Sequence, residues 1–119
     1  MSSLDINRTK ELLQDLEAGI FVSFSHLFTE EFERNMSILE KRISDHDVPG
    51  IRFLAHKMKS SAGNIGAVGL QNDIDFFDQL SDTQDFSEPR HRWESLHDQF
   101  NHVKKDLEIF IDTECGSKQ

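Results

Sequence analysis

Apolar residues recur every three or four positions through almost the whole chain, the period of helices that bury one side. From Ile20 the stripe runs Ile20, Phe24, Leu27, Phe28, Phe32, Met36, Leu39 and Ile43, while Glu30, Glu31, Glu33, Arg34, Glu40, Lys41 and Arg42 fall on the other side. That pattern predicts an amphipathic helix over 20–44. Asp47 before Val48-Pro49 reads as an N-cap with proline in the first turn, where its missing N–H costs nothing. The helix it opens, over 48–63, buries Ile51, Leu54, Ala55, Met58, Ala62 and Ile65 and ends among Gly63 and Gly66. Ala67, Leu70, Ile74, Phe77 and Leu80 predict a helix over 67–81, and the polar stretch to Phe86 a loop. Ser87 as N-cap and Pro89 open a last helix over 87–113, whose seam is Trp93, Leu96, Phe100, Val103, Leu107 and Phe110. Leu12, Leu13 and Leu16 allow a short helix over 7–17 stopped by Gly19, and residues 116–119 are expected to fray.

Long helices joined by short connections, with no internal repeat and no low-complexity segment, predict an all-α fold. The expected architecture is an antiparallel up-down four-helix bundle with an additional short N-terminal helix, a single domain over 1–119. A chain of 119 residues buries enough surface for one core without staples. The lone Cys115 forms no internal disulfide, which suits a reducing compartment and a cytoplasmic location, and it is expected to be inert. No apolar run reaches the length of a membrane span and no signal peptide opens the chain, so direct membrane contact is not expected. A net charge of -9 argues against nucleic acid as a partner and against adhesion to anionic lipid.

The charge is unevenly spread. Residues 48–72 hold no acid and carry +3 from Arg52, Lys57 and Lys59, so the remainder carries -12. Within that segment, a rotation of about 100° per residue places His56 about 160° from Met58, pointing out of the core. Ser60 and Gly63 fall close to the same azimuth, so the outward face is one imidazole beside two small residues, open to close approach. Lys59 follows His56 by three positions and neighbours it on the helix surface, where an ammonium stabilises negative charge arriving at the ring; Arg52, one turn earlier, adds to it.

The run Ala55-His56-Lys57-Met58-Lys59-Ser60-Ser61-Ala62-Gly63-Asn64-Ile65-Gly66-Ala67 resembles the signature of histidine-containing phosphotransfer (HPt) domains. The family pattern is H-x-[LM]-K-G-[SA]-[SA] with a Leu/Ile-Gly-Ala close after it, met here by His56, Met58, Lys59, Ser61, Ala62, Ile65, Gly66 and Ala67. Ser60 stands where the family usually has glycine, which bears on partner geometry. The resemblance implies a phosphoryl carrier of two-component phosphorelays, not an enzyme. His56 would accept the group from a receiver-domain aspartyl phosphate and pass it to another receiver's aspartate. It further implies Lys59 as phosphate-stabilising and Arg52, Lys57, Ser60 and Gly63 as the receiver-docking face. The domain itself needs no cofactor, since Mg²⁺ belongs to the partner receiver. A monomer, free-standing or part of a hybrid sensor kinase, fits the pattern.

Other histidines suggest less. Glu88 with His91 and Glu94 with His97 have a metal-ligand spacing, but both pairs lie on one helix about 240° apart, so they share no ion and no metal site is expected. His26, His46 and His102 read as surface residues. The competing function is a phosphorylation-independent acidic adaptor that binds a regulatory protein; it has no use for an outward imidazole beside Lys59.

Overall fold

Side-chain carboxylates, Asp5 and Asp47, cap the starts of two helices. A computed structural model describes residues 4–82 and 85–116 of the chain. The Asp5 carboxylate accepts the N–H groups of Asn7 (3.1 Å) and Arg8 (3.3 Å), and α1 runs Ile6–Asp15. Leu16 and Glu17 are extended, and α2 occupies Ala18–Ser44. Gly19 therefore lies in the first turn of α2 and stops nothing. His46 takes a positive φ of 54° at the next corner and stacks on Phe86 at 4.1 Å. Asp47 caps α3, Val48–Ile65, by accepting the Gly50 N–H at 3.0 Å.

The end of α3 lies two residues beyond the expected one. Gly66, with φ 87°, is the left-handed cap, and a Cβ there would press on Thr9 Oγ1 and the Asp5 carbonyl. Gly63 stays inside the helix. Next, α4 spans Val68–Asp78 and ends earlier than the apolar period suggests. A tight turn, Leu80 N–H to Phe77 O at 3.3 Å, leaves the helix yet keeps Leu80 buried, so the stripe outlasts the helix.

The last helix, α5, covers Ser87–Ile111. Its first N–H, that of Ser87, is accepted by Asp85 at 3.0 Å, so Asp85 does the capping expected of Ser87. One π-helical turn, Asp112–Gly116, follows where α5 was expected to continue. Residues 83–84 of the predicted loop, 117–119 of the predicted frayed tail and the Cys115 side chain lie outside the described residues.

The four long helices close into an all-α bundle in which α3 packs against α2 and α4, and α5 packs against both of those. The short α1 lies against α2 and α3. It is tied there by polar contacts: the buried Thr9 Oγ1 lies 3.0 Å from the Ile65 carbonyl, Arg8 donates to the Gly63 carbonyl at 3.0 Å, and Asp5 N–H donates to Gly66 O at 2.7 Å.

The predicted stripes of α3 and α4 are buried as expected, and so is the α5 seam apart from the half-buried Trp93. Its Nε1 donates to the Met36 carbonyl at 2.9 Å. The α2 stripe is corrected at its start. Phe21 and Ser25 hold the core positions, whereas Ile20 is 52% and Leu27 65% exposed. A serine in a buried position diverts the apolar pattern to its neighbours. Phe21 settles the register by packing on Phe110 at 5.5 Å, and Phe32 meets Phe100 at 4.6 Å. Each such ring stabilises the bundle by about 1.5–3 kcal/mol through burial. Among the described residues no helix is long and apolar enough to cross a membrane.

Candidate functional site

His56 stands midway along α3 with its side chain 76% exposed, on the face that the helical period assigns to solvent. The core beneath it is rigid: Ala55, Met58 and Ala62 are fully buried. The ring's position is therefore set by a packed helix rather than by a loop. Arg52, Lys57 and Ser60 are exposed on the same helix, as expected.

Lys59 points elsewhere than the sequence suggests. Its Nζ lies 2.6 Å from Asp75 Oδ1 and 3.5 Å from Asp78 Oδ2, both on α4. The other oxygen of Asp78 lies 3.8 Å from His56 Nδ1, close enough for charge to act and too far for a hydrogen bond. One carboxylate thus stands between the imidazole and the ammonium. The hydrogen bond to Asp75 holds the Lys59 ammonium above the ordinary lysine range, against the opposing effect of burial. The acid-free segment of the sequence is consequently not acid-free in space, because α4 brings two carboxylates to it.

Gly63 requires a second correction. Its azimuth places it beside His56, but it is buried under α4: a Cβ there would enter the Gln71 amide, which donates to the Lys59 carbonyl at 3.4 Å. Glycine at this position leaves room for the Gln71 side chain and contributes no open surface.

Phe53, which lies off the apolar stripe, is 67% exposed on α3 three residues before His56, and the Lys57 ammonium lies 6.0 Å from its ring centre. Its azimuth, about 140° from Met58, is the signal that marks it as an outward aromatic. Leu27 of α2 is likewise exposed and shares a shallow groove with Ser61 and Asn64 of α3. Phe53, a large apolar side chain left in water one turn from an exposed histidine, has the character of a contact surface.

The two Glu-x-x-His pairs on α5 do not converge. His97 stacks on Trp93 at 5.2 Å, and Glu88 pairs with Arg92 at 3.3 Å. Among the described residues no group of three or more His, Cys, Asp and Glu side chains gathers to hold a metal ion.

The family model of the Hpt domain matches residues 23–108, which takes in α3, α4 and most of α2 and α5. The chain belongs to the Hpt family. No curated protein and no solved structure matches it. Hpt domains are phosphocarrier modules of phosphorelays, acting on histidine and exchanging with receiver domains, and they are not catalysts. In this Hpt domain the helix that carries the family signature is also the one that presents His56 to solvent.

Proposed function

We propose that this Hpt domain carries a phosphoryl group on His56, taken from the aspartyl phosphate of one receiver domain and delivered to the aspartate of another. The observation that carries this reading is the exposure of His56 on a rigid helix within the family signature, with an open surface around it. A neutral imidazole nitrogen is a good nucleophile toward phosphorus, and covalent carriage divides one exchange into two reversible steps. Transfer then needs in-line placement and compensation of oxygen charge. The receiver supplies the concave side of the joint site, including Mg²⁺, so a convex helix face suffices here.

Docking on this reading uses Arg52, Lys57 and Ser60 as the polar part of the face, with Phe53 and Leu27 as its apolar anchors. Lys59 serves the phosphoryl oxygens after release from Asp75. Gly63 acts through helix packing. A cytoplasmic monomer, free-standing or joined to a hybrid sensor kinase, accords with this role.

The deciding experiment is incubation with a phosphorylated receiver domain. The chain acquires an acid-labile label, and His56→Gln abolishes it while circular dichroism stays unchanged. Label persisting on a folded His56→Gln protein sinks the assignment, as does the absence of label from wild type with every receiver tried. The adaptor reading predicts binding that is indifferent to this substitution and no label.

A further inference from the structure

A phosphoryl group brings up to about two negative charges, so the charges already standing around His56 govern how firmly it is held. Three groups matter here: one ammonium and two carboxylates. Lys59 is engaged by Asp75 at 2.6 Å and by Asp78 at 3.5 Å, and Asp78 also lies 3.8 Å from the imidazole. Asp78 is only 20% exposed, so salt and water screen it incompletely. The cation of the signature is thus already neutralised, and one unbalanced carboxylate remains beside the ring. Arg52 and Lys57 lie exposed in water, where their charge is well screened.

We infer that Asp75 and Asp78 act as an electrostatic counterweight at His56. By occupying Lys59 and opposing the incoming charge, they lower the affinity of the site for the phosphoryl group and bias the exchange toward donation. The inference rests on the reading of His56 as acceptor.

In the accepting step an imidazole lone pair forms the N–P bond as the O–P bond of the aspartyl phosphate breaks. The electron pair of that bond leaves with the receiver's carboxylate, and the proton on the other ring nitrogen passes to solvent. The ring ends neutral, and the adduct gains the full phosphoryl charge. Lys59 meets that charge only by leaving Asp75, so every accepted group is held at the expense of an existing ion pair. In the reverse step the pair re-forms as the group departs. The two carboxylates belong to α4 and act on the bound group through their charge and their hold on Lys59.

The test uses the full chain and a purified receiver domain labelled with a small phosphoryl donor. The two are mixed, the exchange is allowed to reach equilibrium, and the share of label on each protein is read. Asp75→Asn and Asp78→Asn are each expected to move the partition constant about 3- to 10-fold toward the chain, and the double variant further. Lys59→Met is expected to lower the partition constant at least about threefold more in the double variant than in wild type, because only there is the ammonium free. All these differences shrink in high salt. Asp75→Ser and Asp78→Ser replace any asparagine variant that loses helicity. A partition constant that is unchanged or falls in folded variants overturns the inference, as does a Lys59→Met effect equal in both backgrounds. A wild-type chain that takes no label on His56 defeats the acceptor reading instead, and is distinguished by the missing label.

Discussion

Lys59 and Asp75 form a direct ion pair, Nζ to Oδ1 at 2.6 Å, between α3 and α4. The lysine of the family signature is therefore held by the neighbouring helix rather than extended toward His56. Truncating it, Lys59→Ala, is expected to slow phosphoryl transfer on the order of tenfold with little change in Tm. Rapid-quench transfer kinetics beside thermal melts check both parts. An unchanged rate would remove the lysine from the reaction.

The same pair sets a pH dependence. The hydrogen bond to Asp75 raises Lys59 above its unfolded value. The stabilisation is therefore complete below about pH 10.4, the unfolded lysine value, and is lost as pH rises through the higher folded value. The Lys59 side-chain resonances are expected to titrate above the ordinary lysine range, and lower in Asp75→Asn than in wild type. Coincident curves would show that the pair does not persist in solution.

Asp85 gives the opposite sign at the acid end. The Ser87 N–H that it accepts, aided by the Ser87 hydroxyl, holds its carboxyl below the usual range. Its contribution to the start of α5 is present above the unfolded value of about 3.9 and is lost as pH falls through the lower folded value. The Ser87 amide shift, followed by NMR, is expected to report a midpoint below that unfolded value, and Asp85→Asn is expected to flatten the curve.

Phe53 is exposed, so its replacement separates docking from folding. Phe53→Ser is expected to raise the half-saturating concentration of phosphorylated receiver in single-turnover transfer several-fold, equivalent to about 1 kcal/mol of lost contact, with the maximal transfer rate and Tm nearly unchanged. A half-saturating concentration that does not move would place the receiver on another face.

Gly66 and Thr9 test the docking of α1 on the end of α3. Gly66→Ala forces a Cβ into the left-handed conformation and against Thr9 and Asp5, which is expected to cost about 1–2 kcal/mol or more. Thr9→Val removes the hydroxyl that faces the Ile65 carbonyl and is expected to cost about 1–3 kcal/mol. Denaturant unfolding measures both. Wild-type stability in both variants would mean that α1 is not docked as described.

Much of the bundle was legible because helical burial is periodic. Met58, Ile74 and Leu96 sit where a rotation of about 100° per residue puts them, and the same arithmetic turns His56 outward. The failures have local causes. Ser25, polar and buried, masks the α2 register and shifts the apparent apolar stripe onto Ile20 and Leu27. Gly63 has an outward azimuth, yet α4 covers it, because an azimuth reports direction and not what another helix places there. The stop at Gly19 rested on glycine's permissiveness, which does not forbid a first helical turn.

The electrostatics show where sequence and tertiary structure divide. Composition and order alone determined an amphipathic helical pattern, the outward histidine and a basic segment, since each depends on residue identity and local period. Charge, by contrast, acts through space. His56 and Asp78 each stand eleven residues from Ala67, and Lys59 and Asp75 each stand eight, so folding α3 back on α4 about the Gly66 turn brings each pair together. The lysine's partner, and with it the charge that a phosphoryl group meets at His56, was decided by the register of that hairpin and by the packing that holds it.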